Sequence, residues 1–490
     1  MRATWISVGI ILFAACTRSS DKAPPPPPPP PSPPASDHVV VHAQVVDIIP
    51  RRLSGETWQD AEPFLSLYAS NPNFLAASAF TPNPGGAASG TAPIFVSSNG
   101  GTTWSLRNTI PSEVMTADIT HAVGGSPREL YAGIMRQPGY PLNELSTADF
   151  LSFVTMTQLS MRNDIDQPFV RAIKSGTAER LYVGLNDFAA PSGRTATVDL
   201  SMNGGATFAS RRIETRNTVG QNAPSIRPAV AEDGTVYVAY LGWRSATGSV
   251  IQSDVVVARD DHGASGANPF KDLVDPSDHL PGRLVARNVT ILWANTPTLG
   301  QERIGSTLSL AVDPLHSQNV YVAWGDRVGN GDIWTVHVRR STDRGATWSN
   351  DVRTLKDATA PSLAVSTNGT VGLLYQQLTG SGSTSRWVTH LDQSRDGFAT
   401  HQDIILATVP AMTPAFQFLP YLGDYNFLLT RGNKFLGIFS ANNTPDSANF
   451  PQGVVYQRRV DFATHRLLDR SGAPVAVSID PFFFSADVLP

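Results

Sequence analysis

Cysteine is almost missing from this chain. The single one among 490 residues is Cys16, so no intrachain disulfide can form and the fold must be held by its core. Charge is sparse too: Asp, Glu, Lys and Arg make up 16% of the residues, and the net charge is -4. That lacks the basic footprint of a nucleic-acid binder, so nucleic acid is not an expected partner. The ten histidines are scattered singly rather than at zinc-ligand spacing. The acid-rich turns Asp260-Asp261 and Asp326 to Asp332 fall short of a full calcium-ligand spacing. H-E-x-x-H, G-x-S-x-G, Walker A and G-x-G-x-x-G are all absent. No metal and no cofactor is therefore expected. Helix-period patterns are nearly absent, and the apolar run from Thr4 to Ala15 is too short to span a bilayer.

Glycine (39) and proline (38) are plentiful, which suits many short strands joined by turns. One eight-residue pattern, S-x-D-x-G-x-T-W, recurs. It stands at Ser341 to Trp348, at Ser97 to Trp104 with Asn99 in third place, and at Ser201 to Phe208 with Asn203. Each feature has a turn-forming reason. Asp or Asn accepts the N–H groups of its own turn, Gly supplies positive φ, and the final aromatic starts the next strand. The octapeptide resembles the Asp-box, or bacterial neuraminidase repeat, of the sialidase-like β-propellers. In that family it is the turn between the third and fourth strands of a blade, on the face away from the ligand. The resemblance implies a structural role for these residues.

A repeat is one supersecondary unit that needs its neighbours to bury a core, so the copies can be counted. Seven apolar strand pairs follow one another. The clearest are Arg227 to Ala231 with Thr235 to Tyr240, and Ser309 to Pro314 with Val320 to Trp324. The others begin at Glu62, Asp118, Gln167, Pro361 and Asp424. Worn octapeptides are read at Ser146, Arg259, Ser394 and Arg458. The expected fold is all-β: a propeller of four-stranded antiparallel blades, seven by this count, with the six of the sialidases as the alternative. Val39 to Ile49 alternates like a strand and is expected to close the ring beside a C-terminal strand near Val475 to Ile479. An insertion is expected within Ser265 to Thr307.

The N-terminus reads as an address. Met1-Arg2 and the apolar run make a signal peptide over 1–15, and Phe13-Ala14-Ala15-Cys16 resembles the lipobox of bacterial lipoproteins. Cys16 would carry the lipid, and 16–38, with prolines 24–31, 33 and 34, would be a polyproline tether. The propeller takes 39–490. An exported, lipid-anchored, monomeric protein at the outer membrane or cell surface follows as the expectation. Its partner would be a glycan or an extracellular protein, and its only membrane contact the anchor.

Function is expected on the face opposite the octapeptides. The repeat brings there Glu62, Asp166, Gln167, Arg227, Glu302, Arg303 and Tyr421 to Tyr425, with Asn186, Asp187, Trp243, Arg244, Asp326, Arg327, Asp332, Gln376 and Gln377 from the loops between second and third strands. Arginine forks grip carboxylates, and aromatics stack on sugar faces. Asp166, Trp243, Arg244, Asp326 and Asp424 are the ligand-binding candidates. The sialidase resemblance implies three arginines on a substrate carboxylate and a Tyr nucleophile activated by Glu. Arg227, Arg303 and Arg327 with Tyr425 and Glu302 are the set this chain offers. The family's Phe/Tyr-Arg-Ile-Pro motif is missing: Glu62-Pro63-Phe64 occupies its place, and Ser225-Ile226-Arg227-Pro228 is a partial echo.

Overall fold

A computed structural model describes residues 42–489, except 81–90, 112–115, 126–128, 137–141, 153–155, 191–194, 219–224, 249, 297–299, 304–306, 329–333 and 418. The leader, Cys16 and the tether lie outside the described residues. So does Asp332.

Seven sheets of at least four antiparallel strands follow one another along the chain. The first strand of each is Ala61–Leu67, Thr116–Val123, Ile165–Ser175, Ile226–Val230, Leu308–Val312, Ala358–Val365 and Phe427–Arg431. Each first strand touches the next, and the seventh touches the first. The sheets are thus the blades of a closed seven-bladed β-propeller around a central channel. Helix is confined to single 3₁₀ turns among the described residues, and none is long and apolar enough to cross a membrane.

The ring closes through the chain's two ends. Ile479–Asp487 supplies the third strand of blade 7, and Ala43–Asp47 pairs beside it as the fourth, with Val45 opposite Phe484. The expected N-terminal closing strand is there, and its partner starts at Ile479, where the expected segment stopped. Phe482, Phe483, Phe484, Val45 and Val46 are all buried by this closure. Burial of one such side chain is worth about 1.5–3 kcal/mol, so the closure carries a large share of the ring's stability.

The three clear octapeptides share one set of bonds. The opening Ser Oγ donates to the third residue's Oδ1 at 2.9, 2.9 and 2.8 Å. It accepts the glycine N–H at 3.0, 2.8 and 2.8 Å. All three turns join third to fourth strands. Their glycines have a second reason beyond positive φ: a Cβ would stand 2.1 Å from Phe483 at Gly101 and 2.3 Å from Leu159 at Gly205. Phe483 belongs to blade 7 and Leu159 to blade 2, so the octapeptides are also points of blade-to-blade contact.

Four details differ from expectation. The worn copy in blade 2 starts at Thr147 rather than Ser146, because Thr147 Oγ1 is the hydroxyl that accepts the Asp149 N–H at 3.2 Å. In blade 4 the Asp260 carboxylate does the serine's work, accepting N–H groups of His262 and Ala264 at 2.8 and 2.7 Å. The Arg458 copy is no blade turn. Arg459–Asp461 and Arg466–Leu468 form a separate two-stranded hairpin between the second and third strands of blade 7, whose fourth strand comes from the N-terminus. The insertion resolves into two features: a long turn over 261–282, and a fourth strand, Arg283–Thr296, that overruns blade 4 and pairs with Gly300–Arg303.

Candidate functional site

First strands enter from the face opposite the octapeptides, and there the sequence builds a repeated distortion. In blades 1, 2, 3 and 6 the first strand carries one extra residue against its neighbour, between Ala61 and Phe64, Thr116 and Ile119, Asp166 and Phe169, and Thr359 and Ser362. Glu62, Gln167 and Ala360 sit in these bulges at φ of 53°, 56° and 49°, each followed by proline. Left-handed backbone at a non-glycine residue costs roughly 1–3 kcal/mol. The bulges turn side chains toward the channel that regular pleating would direct elsewhere.

The outcome is a buried polar network at the channel mouth. Tyr425 Oη donates to Asp118 Oδ1 at 3.1 Å. Arg227 Nη2 donates to Gln167 Oε1 at 3.2 Å, and Gln167 Nε2 donates to Asp424 Oδ2 at 2.9 Å. The Asp424 N–H reaches Glu62 Oε1 at 3.3 Å. Arg227 is 3% exposed and Tyr425 5%. Burial lowers the Arg227 guanidinium to about 10 against the pull of Tyr425 and three carboxyls. Burial, and then the Asp118 and Glu62 charges, push the Tyr425 phenol well above its ordinary range. This phenol is held protonated.

Below the network the channel is plugged by aromatic rings. Phe64 stacks on Phe427 at 4.1 Å between centroids and meets Phe169 edge-on at 5.2 Å. Arg227 and Arg171 both lie against Phe169, at 4.4 and 4.5 Å. Beyond the plug a cavity of about 350 Å³ occupies the channel's other half.

Of the expected site residues, the fold brings Arg227, Asp424 and Tyr425 together. Asp166 lies half-buried at the start of the same blade 3 strand. Arg327 is half-buried, its N–H bonded to the Thr290 carbonyl at 2.8 Å. Arg244 pairs with the buried Asp254 carboxylate, and Trp243 is buried next to it. Asp326 binds His337 Nε2 at 2.9 Å and accepts from Trp324 Nε1 at 3.1 Å. Glu302 and Arg303 stand in the strand Gly300–Arg303, and their side chains lie outside the described residues. Sequence reasoning did not find Asp118 as Tyr425's partner, the ring plug, or Arg171. The recurrence of Pro-Phe at Pro63-Phe64 and Pro168-Phe169 was the available signal.

Two loops frame the mouth. The segments around Gln59 and Gln417 are locked by reciprocal amides: Gln59 N–H to Gln417 Oε1 at 2.9 Å, and Gln417 N–H to Gln59 Oε1 at 2.8 Å. Gln59 Nε2 and Gln417 Nε2 add bonds to the carbonyls of Pro420 and Thr57, at 3.1 and 3.0 Å. These loops leave Trp58 and Phe416 38% and 43% exposed, with Met412 and Leu419 exposed beside them in the sequence.

The described residues hold one carboxylate trio close enough to share a cation: Glu56, Asp60 and Asp480, with ligand oxygens within 4.8 Å of one another. It lies at the ring closure, where the Arg458 guanidinium already bridges Asp480 and Asp47.

No family model and no curated protein matches the chain. Among solved structures it is similar to an alpha-L-arabinanase of Penicillium chrysogenum complexed with arabinobiose, at 10% identity and TM-score 0.41, covering 90% of this chain and 98% of that one. It is similar to the phage phi92 endosialidase at 11% identity and TM-score 0.42, covering 92% and 70%. It is also similar to YCF48 bound to D1 peptide, at 12% identity and TM-score 0.40, covering 81% and 91%. Likenesses this distant carry no argument about function. The class that stands is the seven-bladed β-propeller.

Proposed function

We propose that this protein is an exported, lipid-anchored propeller that binds extracellular glycan on the face away from the octapeptide turns. The observation that carries the reading is the pair of amide-locked loops at the channel mouth. They hold two aromatic rings, Trp58 and Phe416, exposed to solvent on a rigid support. An aromatic face beside fixed polar groups suits a sugar, whose C–H face stacks while its hydroxyls hydrogen-bond. Arg244, 40% exposed at its side chain, adds charge on the same face. The anchor reading is supported by the lipobox-like Phe13 to Cys16 and the proline tether. At about 3.1 Å per residue, the tether would hold the propeller some tens of ångströms from the membrane.

Hydrolysis of the sialidase kind is the second reading, favoured by the meeting of Tyr425, Arg227 and three carboxyls in one network. It is the weaker one. Tyr425 donates to the Asp118 carboxylate, as a base-activated phenol would, but it is buried from solvent, and burial pushes its phenol up rather than down.

One experiment separates the two. The purified propeller is applied to a glycan array and to a panel of fluorogenic glycosides, beside Trp58→Ala, Phe416→Ala and Tyr425→Phe. Binding lost in the first two variants with no turnover supports recognition. Turnover that Tyr425→Phe abolishes refutes it in favour of the hydrolase, and equal array binding by all variants removes the rim. Fatty-acid labelling of the full chain and of Cys16→Ala checks the anchor.

A further inference from the structure

The cavity beneath the aromatic plug belongs to neither reading above. It lies where the first strands run out, on the octapeptide face, and all seven blades contribute to its wall. Its lining side chains are mainly aliphatic, Leu65, Leu67, Val123, Ile173, Leu363 and Leu429 among them, with Ser66, His121 and Thr430 as polar members. One charge breaks that wall. Arg171 lies half-buried at its inner end, with its guanidinium against the rings of Phe169 and Phe427 at 4.5 and 4.9 Å.

Arg171 has no carboxylate within ion-pair distance among the described residues, and its hydrogen bond there runs only to the neighbouring Val170 carbonyl at 3.1 Å. Burial, and then repulsion from Arg227, lowers the guanidinium to about 9. A half-buried cation without a counter-charge is disfavoured, and arginine remains protonated at neutral pH in spite of it. His121 stands in the same wall. Its Nδ1 is 2.7 Å from Ser66 Oγ, and its Nε2 has no partner among the described residues.

A channel walled mainly by aliphatic side chains, with a guanidinium that has no counter-charge at its inner end, has the polarity of an amphiphile site. We propose that this cavity binds a carboxylate carrying an unbranched apolar tail, with the carboxylate forked by Arg171 and the tail along the aliphatic wall. The fork geometry of guanidinium matches a carboxylate's two oxygens. The cavity of about 350 Å³ reaches the size at which ligand pockets begin, about 300 Å³.

The test is calorimetric titration of the propeller with octanoate, and with butyrate, chloride and inorganic phosphate as comparisons. Saturable one-to-one octanoate binding is expected, with butyrate at least tenfold weaker. Arg171→Met should weaken octanoate at least tenfold without lowering the thermal midpoint, since it removes a half-buried charge that has no counter-charge. Arg171→Lys keeps the charge and stem but not the fork. It should weaken binding several-fold, and it decides the matter should the Met variant not fold. Trp58→Ala, on the opposite face, should bind octanoate as the parent does. No octanoate binding, equal binding by the Arg171 variants, or binding of chloride and phosphate with no dependence on tail length would each overturn the proposal.

Discussion

Arg458 shows how much the ring depends on one buried charge. Its side chain is fully enclosed, as are those of Asp47 and Asp480. Nη2 bonds Asp47 Oδ2 at 2.7 Å and also Asp480 Oδ2, tying the N-terminal strand to the C-terminal one. Glu56 and Asp60 are buried nearby, so four carboxyls surround one guanidinium. Arg458→Met keeps most of the aliphatic volume and removes the charge. Breaking a buried pair by deleting one partner costs about 3–5 kcal/mol, because the remaining charge is left unpaired. The cost should depend on pH with a definite sign. Burial raises Asp47 above its ordinary value, and raises Glu56 to about 7. A carboxyl with a raised folded pKa destabilises as it ionises, so stability falls between the unfolded value near 4.5 and about 7. The variant, with more negative charge uncompensated, should fall further over that window. Urea unfolding followed by tryptophan fluorescence at pH 5 and pH 8 measures this. The expected deficit is about 3–5 kcal/mol at pH 8 and clearly smaller at pH 5. A deficit under about 1 kcal/mol at pH 8, or one that is the same at both pH values, would refute the reasoning.

Two further perturbations probe other parts of the fold. Gly205→Ala places a methyl against Leu159 of the adjacent blade while the backbone stays at φ 84°, so a loss of about 1–3 kcal/mol is expected by chemical denaturation; Ala substitution at Gly234, whose Cβ would meet nothing, should lose less because it carries the φ penalty alone. His337 sits between Asp326 and Asp351 and, against the pull of burial, their hydrogen bonds and charges raise it to about 9. Its pairing should stabilise the fold fully below about pH 6.5 and be lost as pH rises through 9. The stability gap between the parent and His337→Gln should shrink over that range by on the order of 1 kcal/mol once solvent screening is allowed for; a gap constant with pH would contradict the assignment.

Fold was legible where residues act locally. The octapeptide closes its turn with its own side chains, so Ser341, Asp343 and Gly345 reveal it without any neighbour. The apolar strand pairs follow period-two patterning, which depends on one face being buried. The pattern misled where it shared composition without the mechanism. Arg458-Arg459-Val460-Asp461-Phe462-Ala463-Thr464 looks like a worn copy, but it has no hydroxyl at the first place, and its first arginine is taken by Asp47 and Asp480 from the two ends of the chain. The count of seven still held, because blade 7 needs no turn between its third and fourth strands: they come from opposite termini.

The channel mouth was half legible for a physical reason. Period-two reading assigns each first-strand residue to a face, and the one-residue bulges at Glu62, Asp118, Gln167 and Ala360 reset that assignment in four blades. Tyr425 and Arg227 were visible as chemistry-bearing residues. That Asp118 would accept the Tyr425 hydrogen bond depends on a contact between residues 307 apart in the chain, which no local rule reaches. The same holds for Arg171. In sequence it is one arginine on an amphipathic strand, for which a solvated position is the ordinary expectation. Only ring closure sets Phe169, Phe427 and the aliphatic ends of the other blades around it, and so converts an ordinary strand arginine into an unpaired cation at the end of an apolar channel.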